Sequence, residues 1–105
     1  MIDFESIANR LGFESDDLLM LFSMFNDSAK ESISDLKSSI KDNDFTQIKS
    51  LAHSIKGSAA NLMLEDIETL AQTIESSAKN QEDIDYLLIC EQLEEKLKEL
   101  EPILA

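Results

Sequence analysis

Apolar residues recur at intervals of three and four along almost the whole chain, the spacing of amphipathic helices and not of alternating strands. A short first segment from Asp3 to Leu11 places Phe4, Ile7, Ala8 and Leu11 on one side, and Gly12 supplies a stop. Ser15 is the expected N-cap of the next helix, with Asp16 and Asp17 in a first turn where the helix dipole favours negative charge. Leu18, Phe22, Phe25, Ala29, Ile33, Leu36 and Ile40 then form a stripe of about six turns. Asp42-Asn43-Asp44 breaks that helix and caps its successor, in which Phe45, Ile48, Ala52, Ile55, Ala59 and Leu62 keep one face apolar. A short join near Met63 and Leu64 leads to a fourth stripe of Ile67, Leu70, Ala71, Ile74 and Ala78. After the polar break at Asn80-Gln81, Tyr86, Cys90, Leu93, Leu97, Leu100 and Leu104 make a fifth, whose last turn Pro102 is expected to end or distort.

Four long amphipathic helices with short joins predict an all-α fold, an antiparallel up-and-down four-helix bundle with the short first helix across one end. Residues 1–105 read as a single domain, without internal repeat, low-complexity tract or linker.

Charge narrows the function. The chain has 105 residues, with nine Lys and Arg against 22 Asp and Glu, for a formal charge of −13. That balance disfavours phosphate-backbone binding, so no nucleic-acid partner is expected, and it disfavours an anionic membrane surface. Apolar runs stop at about five residues, far short of the ~20 that span a bilayer, and the N-terminus lacks the pattern of a signal peptide. One Cys excludes an intrachain disulfide and fits a reducing, cytoplasmic setting. One His and one Cys are too few for the usual zinc site, so no metal is expected on this chain.

The predicted third helix departs from a generic bundle. It holds the only His and one of only two Gly, in the string Ala52-His53-Ser54-Ile55-Lys56-Gly57-Ser58-Ala59-Ala60. A mid-helix Gly costs roughly 1 kcal/mol relative to Ala, and close helix packing is one explanation for it. The helical wheel offers another, because Lys49, His53, Lys56, Gly57 and Ala60 share a face about 100° from the apolar stripe. That face carries an imidazole, two ammonium groups, two near-absent side chains and no acid. A histidine with an ordinary pKa near ~6.5 is mostly neutral at pH 7 and offers one nitrogen lone pair. Lys56, one turn away, is expected to offset the charge of a phosphoryl group there, with no carboxylate competing for it. Gly57 and Ala60 leave room for a second protein to approach the ring.

At these residues the sequence resembles the histidine-containing phosphotransfer (HPt) domain family, through A-H-x-x-K-G and the small residues and Leu that follow, from Ala52 to Leu62. Arg10-Leu11-Gly12, Leu18-Leu19 and Phe22 to Phe25 look like that family's first helices. The resemblance implies a helical bundle in which His53 carries the phosphoryl group, Lys56 stabilises its charge, and Gly57, with Lys49 and Ala60, borders the docking face. It implies a carrier between receiver-domain aspartates and not an autonomous enzyme, with response-regulator receivers and a hybrid sensor histidine kinase as partners. Any magnesium would belong to the receiver, and no cofactor to this chain. Met63 departs from the family's frequent Gly at that helix end. The same string is similar to the phosphorylated domain of chemotaxis histidine kinases, in which a Glu on the following helix hydrogen-bonds the imidazole. Antiparallel pairing about residues 63–64 sets His53 level with 73–75, so Glu75 is the candidate, with a merely solvated Glu the alternative. A bundle that only binds partners is the competing function. Cys90 lies in an apolar stripe, which argues against a thiol–imidazole pair, while Met20 and Met24 are candidates for the edge of a docking surface. A monomer is expected.

Overall fold

A computed structural model describes residues 2–105. Helices follow in the order α1 (Phe4–Leu11), α2 (Ser15–Lys41), α3 (Phe45–Asn61), α4 (Glu65–Lys79), α5 (Tyr86–Lys98) and α6 (Glu101–Leu104), with no strand among the described residues. The fold is all-α, as the three-and-four spacing predicts. Helix α3 packs against α2 and α4, and α5 touches both α4 and α2, closing a ring of four long helices. Three-residue turns reverse the chain between α2 and α3 and again between α3 and α4. Lys96 near the end of α5 pairs with Asp66 at the start of α4 at 3.3 Å, and Lys37 of α2 with Glu94 of α5 at 2.7 Å.

The stripes meet at the centre. Leu18, Phe22 and Leu36 of α2 pack with Ile48 and Ala52 of α3, Ala71 and Ile74 of α4, and Cys90 and Leu93 of α5, all essentially inaccessible. Phe4, Leu11, Ile40, Phe45, Leu70 and Leu104 are only partly buried against this core. The buried alanines at 52 and 59 in α3, and at 71 and 78 in α4, are small enough to let these two backbones approach closely. That seam sets the distance between the side chains on its outer rim. Helix α1 is held by Phe4, whose ring meets Phe22 edge-on with centroids 5.6 Å apart.

Helix ends explain most of the boundaries. The carboxylates of Asp3, Asp44 and Asp85 accept the backbone N–H groups of Ser6, Gln47 and Leu88, each at 3.1 Å. Ser15 is not the N-cap its sequence position suggests. It is the first helical residue of α2, and Glu14 precedes it in an extended conformation with no side-chain cap. The turn after Gly12 leaves one residue fewer before the helix than a Ser15 cap requires. At the C-terminal ends, Gly12, Asn43, Met63 and Gln81 all take left-handed backbone conformations. After α3, the Met63 N–H donates to the Ala60 carbonyl at 3.1 Å and the Leu64 N–H to the Ala59 carbonyl at 2.9 Å. This is the paired closure of a Schellman turn, made with Met at the position Gly favours. The fifth stripe is also split. Helix α5 stops at Lys98, since Pro102 has no N–H to return to that carbonyl, and Pro102 sits in the first turn of the separate helix α6.

Candidate functional site

Ala52 and Ile55 anchor α3 in the core, which turns Lys49, His53, Gly57 and Ala60 to the exposed side and leaves Lys56 partly covered. The His53 side chain is 67 % exposed. From α4, Glu75 rises beside the buried Ile74 and meets this face with only 17 % of its side chain accessible. One Glu75 oxygen, Oε2, lies 2.7 Å from His53 Nδ1, and the other, Oε1, lies 2.5 Å from Lys56 Nζ. A single carboxylate from α4 therefore joins two residues of α3.

Electrostatics fixes the proton. The Lys56 ammonium holds the Glu75 carboxyl below the usual carboxylate range, burial opposes it, and the His53 contact adds to the lowering. An ionised carboxylate only accepts hydrogen bonds, so at 2.7 Å the His53 Nδ1–H must be the donor. In the neutral ring the lone pair is then on Nε2, the nitrogen turned away from Glu75. The arrangement is a nucleophilic imidazole in a fixed tautomer.

One expectation changes. Sequence pattern leaves Lys56 free of competing carboxylates because α3 has no acid, but the competitor comes from α4, which the helical wheel of α3 does not contain. Gly57 is clarified as well. A Cβ at Gly57 would meet nothing within 4 Å, so close helix packing does not account for the residue. Its missing side chain leaves the surface beside His53 low. Ala60, a turn further along, is exposed on the same face. Sequence pattern gives no weight to Lys79, although its i+4 spacing from Glu75 puts both on one face of α4.

The thiol candidate falls away. Cys90 is fully buried and burial pushes its thiol up to about 11, only partly countered by Lys37, so it is a protonated core residue. Phe22 and Phe25 are buried, whereas Met20 and Met24 are exposed. Met24 borders a groove between α2 and α3 lined also by Leu21, Ser28, Ser54 and Ser58, beginning at the residue after His53. Among the described residues no group of three or more His, Cys, Asp or Glu is placed to hold a metal ion, and no helix is long and apolar enough to cross a membrane.

No curated protein and no solved structure matches the chain. A family model does match, over residues 20–102, a span that takes in His53, Lys56, Gly57 and Glu75 and implies histidine phosphotransfer in two-component signalling. With most of its length covered by that match, the chain belongs to the Hpt domain family.

Proposed function

We propose that this protein is a phosphorelay carrier that takes a phosphoryl group from the aspartyl phosphate of one receiver domain and passes it to the aspartate of another, through phospho-His53. The observation that carries this reading is the exposed His53 ring with Nδ1 bonded to an ionised Glu75, so that Nε2 is both nucleophilic and open. The Nε2 lone pair forms the N–P bond while the acyl P–O bond breaks and the receiver carboxylate leaves with its electrons. The ring gains positive charge as Nε2 gives up its lone pair, and the Nδ1–H bond to Glu75 stabilises that charge. Return transfer reverses each step. Lys56 acts through Glu75 by keeping the carboxylate ionised and aimed. The magnesium ion such transfer uses belongs to the receiver, and no autonomous catalytic activity is assigned to this chain. Gly57, Ala60 and Lys49 border the docking face, which the groove at Met24 extends along α2, and the protein acts as a monomer in the cytoplasm, fed by a hybrid sensor histidine kinase.

The test is incubation with a radiolabelled phospho-receiver beside the His53→Gln variant. Acid-labile, base-stable label on the wild type alone is expected, while no transfer from any of several receivers would leave a bundle that only binds partners. One observation favours a second reading. A Glu on the following helix bonded to the imidazole is what the resemblance to chemotaxis-type phosphoacceptor domains implies, and in that case a kinase domain with ATP, and no receiver, would label His53.

A further inference from the structure

The structure points to Lys49 and Lys79 as the cations that receive the phosphoryl group on His53, with Lys56 remaining on Glu75; this rests on the phosphohistidine reading above. Lys56 is poorly placed to leave. Its Nζ lies 2.5 Å from Glu75 Oε1, an oxygen that solvent does not reach, so swinging Lys56 toward a phosphoryl group would strand a buried carboxylate oxygen. Lys49 and Lys79 have no such commitment. Both are exposed, and among the described residues neither side chain has an ion pair or hydrogen bond.

Their placement follows from the α3–α4 register. Because His53 meets Glu75 across the seam and the helices run in opposite directions, residues four before His53 and four after Glu75 are level with each other. Those residues are Lys49 and Lys79, one helical turn below the His53–Glu75 pair. Side chains on a helix lean toward its N-terminus, so the His53 ring overhangs the turn that carries Lys49. At this level the register places Lys49 and His53 on α3 and Lys79 and Glu75 on α4, with Glu82 and Asp83 beyond the end of α4 near Tyr86, and Glu75 is held by His53 and Lys56. Two unpaired ammonium groups on facing helices repel each other until an anion lies between them. In a protein of charge −13, that makes the patch a waiting anion site beside the nucleophile. Lysine suits the task, being a flexible point charge with three donors that can follow a phosphoryl group as it is handed over.

The test needs no receiver, so its failure is separable from failure of the relay reading. Phosphoramidate phosphorylates the intact protein chemically: His53 Nε2 forms the N–P bond, the reagent's own P–N bond breaks, and ammonia leaves. The pH dependence of the 31P signal then reports the second ionisation of the phosphoryl group. Its midpoint in the Lys49→Gln/Lys79→Gln double variant is expected to rise by about half a pH unit per lysine at low salt relative to wild type, the size expected for unit charges roughly 6 Å apart in water. Lys56→Gln is expected to move that midpoint less than the double variant does, while shifting the 15N signals of the unphosphorylated His53 ring. A midpoint that moves in Lys56→Gln and stays fixed in the double variant overturns the assignment. So does a wild-type His53 that takes up no phosphoryl group from phosphoramidate.

Discussion

Glu75 holds two side chains with one carboxylate, and the consequences can be measured at that residue. Its pKa is depressed in the folded protein, chiefly by Lys56, so its contribution to stability is fully present above the ordinary Glu value of 4.5 and is lost as pH falls through the lowered native value. The stability gap between wild type and Glu75→Gln, followed by urea denaturation, is expected to be constant from neutral pH down to that ordinary value and to shrink below it. A gap that stays the same at pH 3 as at pH 7 would mean that the ion pair does not stabilise the fold. Gly57 separates fold from docking in the opposite sense. Gly57→Ala is expected to stabilise the protein by about 0.5–1 kcal/mol, because a helix-interior Gly is replaced and the new Cβ touches nothing. Gly57→Leu is expected to slow transfer from a phospho-receiver by up to ~100-fold by displacing the partner, while chemical phosphorylation of His53 proceeds as before. Undiminished transfer in Gly57→Leu would show that a receiver does not need this clearance.

Among the elements, the turns carry more local strain than the helices they join. Asn43, Met63 and Gln81 all sit at positive φ where α2, α3 and α4 end, and only Gly12 places at such a turn the residue that adopts this conformation without cost. Gln81 is exposed, so Gln81→Gly is expected to raise stability by about 1 kcal/mol and to increase the thermal midpoint. Met63→Gly is expected to gain less, because the Met63 side chain also packs against the core. If Gln81→Gly instead lowers the midpoint, the Gln81 side chain stabilises the turn in some other way. The same contrast marks what the sequence can convey. The four long helices, their apolar faces, the Asp44 cap and the Asn80-Gln81 break follow from residue type and period, which are local. Even the level of Glu75 opposite His53 follows from turn position and rise per residue. The start of α2 at Ser15 depends on the geometry of the preceding turn, and the capture of Lys56 by Glu75 depends on how far one helix leans on another. Neither is encoded in the period of a single helix.

For the whole molecule, charge is distributed and not uniform. Between Asp44 and Glu65 there is no acid, and Lys49 and Lys56 make this stretch +2, so the remainder of the chain carries −15. Helix α3 thus stands as a weakly positive strip on a strongly negative body, with His53 in the middle of it. The body acts at long range and the strip at contact, and ionic strength separates the two. At about 10 mM salt the screening length is ~30 Å and an approaching receiver of net negative charge feels the body's repulsion; at about 150 mM it is ~8 Å, and only groups near His53 and the docking rim still matter. The second-order rate constant for transfer from such a receiver is therefore expected to rise between these conditions, whereas oppositely charged partners lose rate as salt increases. Stopped-flow transfer measurements across this range decide the point. A rate that falls with salt would mean that the receiver is steered by the local cations of α3 and α4 from the start, and that the −15 of the remaining surface lies too far from the docking path to oppose it.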